Sequence, residues 1–109
     1  MITRYTKIMK ETHKFKITDT TTSNDMDSFF YDVWSRNKNV YILLDTTSCK
    51  NVSLTRILSI KSILNKHRNN SKRYIDHTTI LVKSRLVKNI LRVGLSILRT
   101  ERPVYIRVL

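Results

Sequence analysis

Segments typical of helices and segments typical of strands alternate along most of this chain. Apolar residues recur at helical spacing within 24–39, within 53–67 and from 84 to a stop at Arg102–Pro103. Short apolar runs follow these segments and predict strands at 40–44, 78–82 and 104–108. Chains that alternate in this way form right-handed crossovers and a mainly parallel sheet. The sequence therefore predicts an α/β fold.

The segment before the first helix has a period of two. Phe15 and Ile17 point to one side while Lys14 and Lys16 point to the other, which is typical of a half-exposed strand. We expect two strands, over 2–9 and 13–18, joined by a hairpin around 11–12. The expected order is β-β-α-β-α-β-α-β in a single small domain over 1–109. Its mixed, mostly parallel sheet would carry helices mainly on one face, with an antiparallel pair at the N-terminal edge.

Polar residues mark where each helix is expected to begin. Asn24 is a suitable N-cap for the first helix, which would end near 36–39, and its stripe contains Trp34. Ser53 and Ser84 would cap the second and third helices. The polar run 68–73 between the second helix and the next strand is expected to be a solvated loop.

The charge of the chain is strongly positive and unevenly distributed. Its 109 residues include 21 Lys and Arg against 8 Asp and Glu, a formal charge of +13. The first 45 residues contain 7 basic and 6 acidic residues, whereas the rest contain 14 basic and 2 acidic ones. The chain has no Ala or Gln and is rich in Ile, Lys and Asn, which indicates an AT-rich genome such as that of a protist, a bacterium or a large DNA virus. Part of the Lys content can therefore reflect codon usage.

The positive charge is concentrated where the third helix is expected. Its basic residues fall within about 60° of arc, opposite a stripe formed by Leu86, Ile90, Leu91 and Leu98. A row of basic side chains such as this suits the phosphate backbone of a nucleic acid. Contacts to the backbone require positive charge but do not read the base sequence. The alternative is an ordinary solvated face enriched by codon usage. The candidate anion- or nucleic-acid-binding residues are Arg85, Lys88, Arg92 and Arg99, together with Arg68, Lys72 and Arg73.

Several functional classes find no support in the sequence. Cys49 is the only cysteine, which excludes an internal disulfide and a cysteine-based zinc site. The three histidines lack the spacing of metal ligands. No apolar run approaches the roughly 20 residues that cross a bilayer. We therefore expect no enzyme activity, catalytic residue, metal or cofactor, and a location in the cytoplasm or, for a viral protein, in the virion or host cytoplasm.

The order of elements resembles the STAS fold of anti-sigma-factor antagonists and sulfate-transporter tails. The resemblance is strongest over 40–108, where a strand ends in Leu43-Leu44-Asp45 and a helix begins at Ser53-Leu54-Thr55. The third helix also contains the Gly94-Leu95 pair often found in that family. The chain departs from the family at Val52, which replaces an acidic residue, and it lacks the Gly that follows the regulatory serine.

The resemblance implies a protein-interaction module that is not an enzyme, and in which Ser53 is the candidate phosphorylation switch. The alternative for Ser53 is a plain N-cap, worth about 1 kcal/mol. The alternative for the whole chain is a basic accessory or virion protein that binds nucleic acid non-specifically. A homodimer through an exposed sheet edge is a further expectation.

Overall fold

The computed structural model describes residues 11–109, which form an α/β fold around a parallel sheet. Its four strands pair in chain order, β1-β2-β3-β4, and each described pair is parallel. The strand predicted over 2–9, and with it the antiparallel pair, lies outside the described residues. The strands are β1 (Glu11–Lys16), β2 (Val40–Asp45), β3 (Ile75–Val82) and β4 (Val104–Val108).

Five helical segments connect these strands. Two are long, and three short ones follow each other between β2 and β3. The predicted first and third helices and the predicted strands after residue 40 are confirmed. The segments are α1 (Ser23–Ser35), α2 (Leu54–Leu58), α3 (Lys61–Lys66), α4 (Arg68–Tyr74) and α5 (Arg85–Leu98).

The connection between β2 and β3 differs from its prediction. The expected single helix to residue 67 is broken between Leu58 and Lys61. The run 68–73, predicted as a solvated loop, is helical in α4, which starts with a hydrogen bond of 2.8 Å from the Ser71 amide to the His67 carbonyl. Because α4 has no apolar residue before Tyr74, it shows no helical periodicity that a sequence could reveal.

Two predicted boundaries near the N-terminus are wrong. Glu11 and Thr12 belong to β1, where they pair with β2, so no hairpin turn forms there. Asn24 lies inside α1, and Thr22 is its N-cap. The Thr22 hydroxyl accepts from the Asp25 amide at 3.1 Å, and the Asp25 carboxylate accepts from the Thr22 amide at 2.9 Å. This reciprocal capping box satisfies two otherwise free amides, which Asn24 could not do.

The helices cover one face of the sheet, as expected for right-handed crossovers between strands that pair in chain order. Across the four strands, residues in register share a face. One row packs into the core beneath the helices and consists of Phe15, Leu44, Ile80 and Ile106. The next row points to the other face and consists of Lys14, Leu43, Thr79 and Tyr105.

The core beneath the helices consists of two clusters. One cluster joins α1 to β2 and the start of β3, and it contains stacked Phe30 and Trp34 rings. The other joins α2 and α5 to β3 and contains Ile57 and Leu91. Within residues 11–109, no helix has the length and apolarity needed to cross a membrane.

A buried histidine ties α1 to the segment before α4. The Trp34 indole N–H donates to His67 Nδ1 at 2.9 Å, so the other ring nitrogen of neutral His67 carries the proton. That Nε2–H donates to Asp27 Oδ1 at 2.6 Å. The hydrogen bond from His67, followed by the one from Lys66, lowers the pKa of Asp27 against the effect of its burial. The network is a structural link within the first cluster.

Candidate interaction surface

Helix α5 is anchored by a narrow stripe of buried residues. Its N-cap, Ser84, accepts a hydrogen bond from the Val87 amide at 3.3 Å. The buried positions recur at helical spacing and face the sheet and α2; they are Val87, Leu91, Gly94 and Leu98. A Cβ atom on Gly94 would come within 2.6 Å of Ile57 Cγ2. Glycine therefore allows α5 and α2 to approach closely.

A second apolar stripe on α5 faces solvent. Leu86 is 70% exposed, Ile97 53% and Val93 51%. At 100° per residue these three side chains fall within about 40° of arc. The prediction that Leu86 belongs to the core stripe is therefore wrong: α2 and the sheet cover only the arc that contains Val87 and Leu91. We call Leu86, Val93 and Ile97 the apolar stripe.

Basic side chains lie on the opposite flank of the exposed surface of α5. Arg85 and Arg92 are exposed and Lys88 is partly buried. All eight acidic side chains of the chain lie within the described part, and none of them forms an ion pair with these three residues. No Asp or Glu occurs between residues 77 and 100. We call Arg85, Lys88 and Arg92 the basic stripe.

The other predicted basic residues lie apart from the basic stripe. Arg99 is the C-cap of α5 and has a positive φ of 54°. Together with Arg68 it lines a small cavity of about 90 Å³. Arg68 donates to the Glu101 carboxylate at 2.5 Å, which neutralises part of the charge there. Lys72 and Arg73 lie in the last turn of α4. The structure thus separates three residues on α5 from a group near the amino ends of β3 and β4.

Ser53 is the N-cap of α2, as the sequence predicted. Its hydroxyl oxygen accepts from the Arg56 amide at 3.2 Å, and the residue is exposed. It also lies at the opening of a cavity below α2. Capping explains a serine here on structural grounds, and its exposure leaves the hydroxyl accessible to a modifying enzyme.

The cysteine and the histidines form no metal-binding group among residues 11–109. Burial raises the pKa of the Cys49 thiol, and its Sγ–H donates to the Ile17 carbonyl at 3.2 Å. No group of three or more His, Cys, Asp or Glu residues in the described part could hold a metal ion. His67, which contacts the Asp27 carboxylate, is 2% exposed and has both ring nitrogens engaged.

Sequence reasoning missed the apolar stripe and the buried state of His67. The apolar stripe could have been noticed, because α5 contains eight large apolar residues among fourteen, more than one buried face needs. His67 gave no local signal, since its partners lie 33 and 40 positions earlier.

In comparisons with known proteins, the chain matches no family model, no curated protein and no solved structure.

Proposed function

We propose that this protein is a non-catalytic protein-interaction module that binds a partner protein on the outer surface of α5. The observation that supports the proposal is the apolar stripe. Leu86, Val93 and Ile97 each leave more than half of their surface in water. Exposed apolar side chains aligned along one face of a helix are candidates for an interaction site on an otherwise well-packed domain. The module would act in the cytoplasm or, in a virus, within the virion or the host cytoplasm.

The basic stripe, on the other flank of α5, indicates the chemistry of the partner. Arg85, Lys88 and Arg92 lie across the exposed surface of the helix from the apolar stripe and have no acidic partner in the described part of the chain. A surface that combines apolar groups with unpaired cations is complementary to apolar side chains flanked by Asp or Glu. We therefore expect an acidic, amphipathic segment of a partner protein.

A peptide titration tests this assignment. The probe is a fluorescently labelled helical peptide with a leucine stripe flanked by glutamates, and the readout is anisotropy. Replacing Leu86, Val93 and Ile97 by Ser should weaken binding by about tenfold or more, and so should replacing the basic stripe by Glu. The control changes the same charge elsewhere on the surface, through Lys16, Lys50 and Lys61 to Glu.

The control variant should bind the peptide less tightly only by the amount that the change in net charge produces. Equal losses for the control and for the basic-stripe variant would reject a localised site. Unchanged binding after loss of the apolar stripe would reject the proposal itself. Binding of the protein to anionic vesicles, together with no binding to the peptide, would indicate a membrane surface as the partner. That result would also contradict the proposal.

Phosphorylation of Ser53 is the proposed means of regulation, in line with the resemblance to STAS domains. A phosphate on this exposed N-cap would carry nearly two negative charges close to Arg56, whose amide already donates to Ser53. Ser53→Asp should change peptide affinity, whereas Ser53→Ala should reduce stability by about 1 kcal/mol without changing affinity. Identical affinities for both variants and the unmodified protein would argue against a switch.

The second candidate function is non-specific nucleic-acid binding through the basic stripe. It is favoured by the absence of acidic residues between 77 and 100, across the whole of α5. Binding to a mixed-sequence duplex should fall steeply with salt, because each neutralised phosphate releases counterions. Replacing the three residues of the apolar stripe by Ser should leave the affinity for the duplex unchanged. Duplex binding that survives replacement of Arg85, Lys88 and Arg92 by Glu would contradict this candidate.

Self-association through a sheet edge is the third arrangement that we propose to test. Within the described sheet, β4 pairs only with β3, which leaves its other edge available for a second copy of the chain. Sedimentation velocity over a range of concentrations measures it directly. Val108→Pro, which removes an amide that points away from β3 at an exposed position of β4, should abolish a dimer formed through this edge and should leave a dimer formed elsewhere intact.

A further inference from the structure

A cavity of about 220 Å³ lies beneath α2, near the carboxyl ends of β1 and β2. It reaches the surface between the start of α1 and the start of α2, where exposed Ser23 and Ser53 border it. Its interior is formed by large apolar side chains from both layers of the fold. These are Ile17, Met26, Leu44, Ile57, Ile80 and Leu91.

The cavity follows from the way the core is divided. Met26 belongs to the cluster beneath α1, whereas Ile57 and Leu91 belong to the cluster beneath α2 and α5. Leu44 and Ile60 are the partly buried residues that pack against both clusters. The helical layer is interrupted just above this boundary, because α2 ends at Leu58 and α3 begins only at Lys61. The space between the two clusters is therefore left unfilled.

The polar groups in the interior of the cavity are already engaged with the protein, whereas Ser23 and Ser53 lie at its opening. Thr46 donates its hydroxyl to the Leu81 carbonyl at 2.7 Å, and Cys49 donates to the Ile17 carbonyl. The Arg56 guanidinium donates to the carbonyls of Thr18 and Thr21 and lies 3.7 Å from Asp19. Among the described residues, no buried side-chain nitrogen or oxygen lacks a hydrogen-bond partner. A polar ligand would lose its hydration without finding a free partner inside.

We infer that this cavity binds a small uncharged apolar molecule, of the size of a monocyclic aromatic or a short alkyl compound. Apolar protein cavities of about 150 Å³ stay dry and take up benzene. The present cavity is larger and has an opening, so a ligand can enter without unfolding of the domain. Binding replaces lost dispersion contacts of Ile57, Ile80 and Leu91, which an empty space leaves without neighbours.

Benzene is the probe, and amide chemical shifts of the full chain are the readout. Saturable shifts are expected at Thr46 and Ile57, while Tyr105 on the other face of the sheet should not move. Pyridine is the matched probe of nearly the same shape, and it should bind about tenfold or more weakly because its ring nitrogen loses a hydrogen bond to water and finds no free donor inside the cavity. Equal or tighter binding of pyridine would overturn the apolar assignment. Shifts confined to Leu86 and Ile97 would overturn the location.

A matched pair of variants separates filling of the cavity from a general effect of a larger side chain. Val52 lines the cavity, and Val52→Phe should fill it and reduce benzene affinity by about tenfold or more. Val93→Phe makes the same change on exposed α5 and should leave the affinity within about twofold. Unchanged affinity in Val52→Phe overturns the inference. If that variant does not fold, nuclear Overhauser contacts from benzene to the Ile57 and Leu91 methyl groups of the unmodified protein decide the question, and their absence overturns it.

Discussion

The two long helices, α1 and α5, bury similar stripes against the same sheet but use their polar residues in opposite ways. On α1, Asp25 completes the capping box and Asp27 binds His67 and Lys66. On α5, Arg85 and Arg92 extend into solvent without an acidic partner in the described part of the chain. Asp25 and Asp27 of α1 thus bind other parts of the fold, whereas Arg85 and Arg92 of α5 remain exposed to solvent.

The apolar residues of the two helices differ in the same way. Phe30 of α1 is 6% exposed and lies among aromatic rings, with its ring centroid 5.7 Å from Trp34 and 5.2 Å from His67. Leu86 of α5 is 70% exposed. Exposed apolar patches on a well-packed domain mark candidate interaction sites. The difference between the helices is what the proposal predicts, with α1 serving stability and α5 serving binding.

The sharpest test of this comparison is a pair of alanine substitutions. Phe30→Ala should lower the free energy of unfolding by about 3–5 kcal/mol, because it leaves a large cavity in the first cluster. Leu86→Ala should change it by less than about 0.5 kcal/mol, because the side chain is already hydrated. Chemical denaturation measures both values. A loss above about 2 kcal/mol for Leu86→Ala would show that the apolar stripe is part of the core.

The next largest effect concerns the contact that holds α5 to α2. Gly94→Ala places a methyl group 2.6 Å from Ile57 Cγ2, and the resulting overlap should cost about 1–3 kcal/mol. Combining it with Ile57→Ala, which removes the clashing atom, should recover part of that loss in a double-mutant cycle. Additive effects in the cycle would mean that the two residues do not touch. Ser96→Ala, on the exposed side of α5, is the control and should be close to neutral.

The same two helices show how much of the structure the sequence could predict. Apolar spacing located α1, α5 and three of the strands, because burial against a sheet imposes a period on the chain. It could not separate Leu86 from Leu91, since both are apolar and only the position of α2 decides which one is covered. Helix α4 was missed because it lacks an apolar stripe, and the cavity was missed because it arises where two clusters fail to meet.

The caps of the two helices provide a smaller and more balanced comparison. Thr22→Ala and Ser84→Ala each remove the hydroxyl that accepts a first-turn amide, and each should cost about 1 kcal/mol. Thr22→Ser and Ser84→Thr retain the acceptor and should restore most of the loss. Thermal unfolding of the four variants measures the differences. A cost near zero for Ser84→Ala would show that α5 is held by its packing alone.

The smallest effect is a dependence on pH at the start of the sheet, where Glu11 joins β1 to the end of α1. Its carboxylate accepts from Arg36 at 2.7 Å, and this hydrogen bond, followed by that from His13, lowers the pKa of Glu11 from 4.5 to about 2. A carboxyl group with a lowered pKa in the folded state stabilises the protein above its unfolded pKa, and this contribution is lost as the pH falls. The free energy of unfolding should therefore decline as the pH falls from 4.5 to about 2. Glu11→Gln should make this dependence on pH less steep. Urea unfolding at several pH values in this range measures the slope; the same slope in both proteins would mean that Arg36 does not pair with Glu11 in solution.

Because Arg36 is half exposed, added salt should also weaken the effect, which distinguishes this ion pair from the enclosed contact between Asp27 and His67.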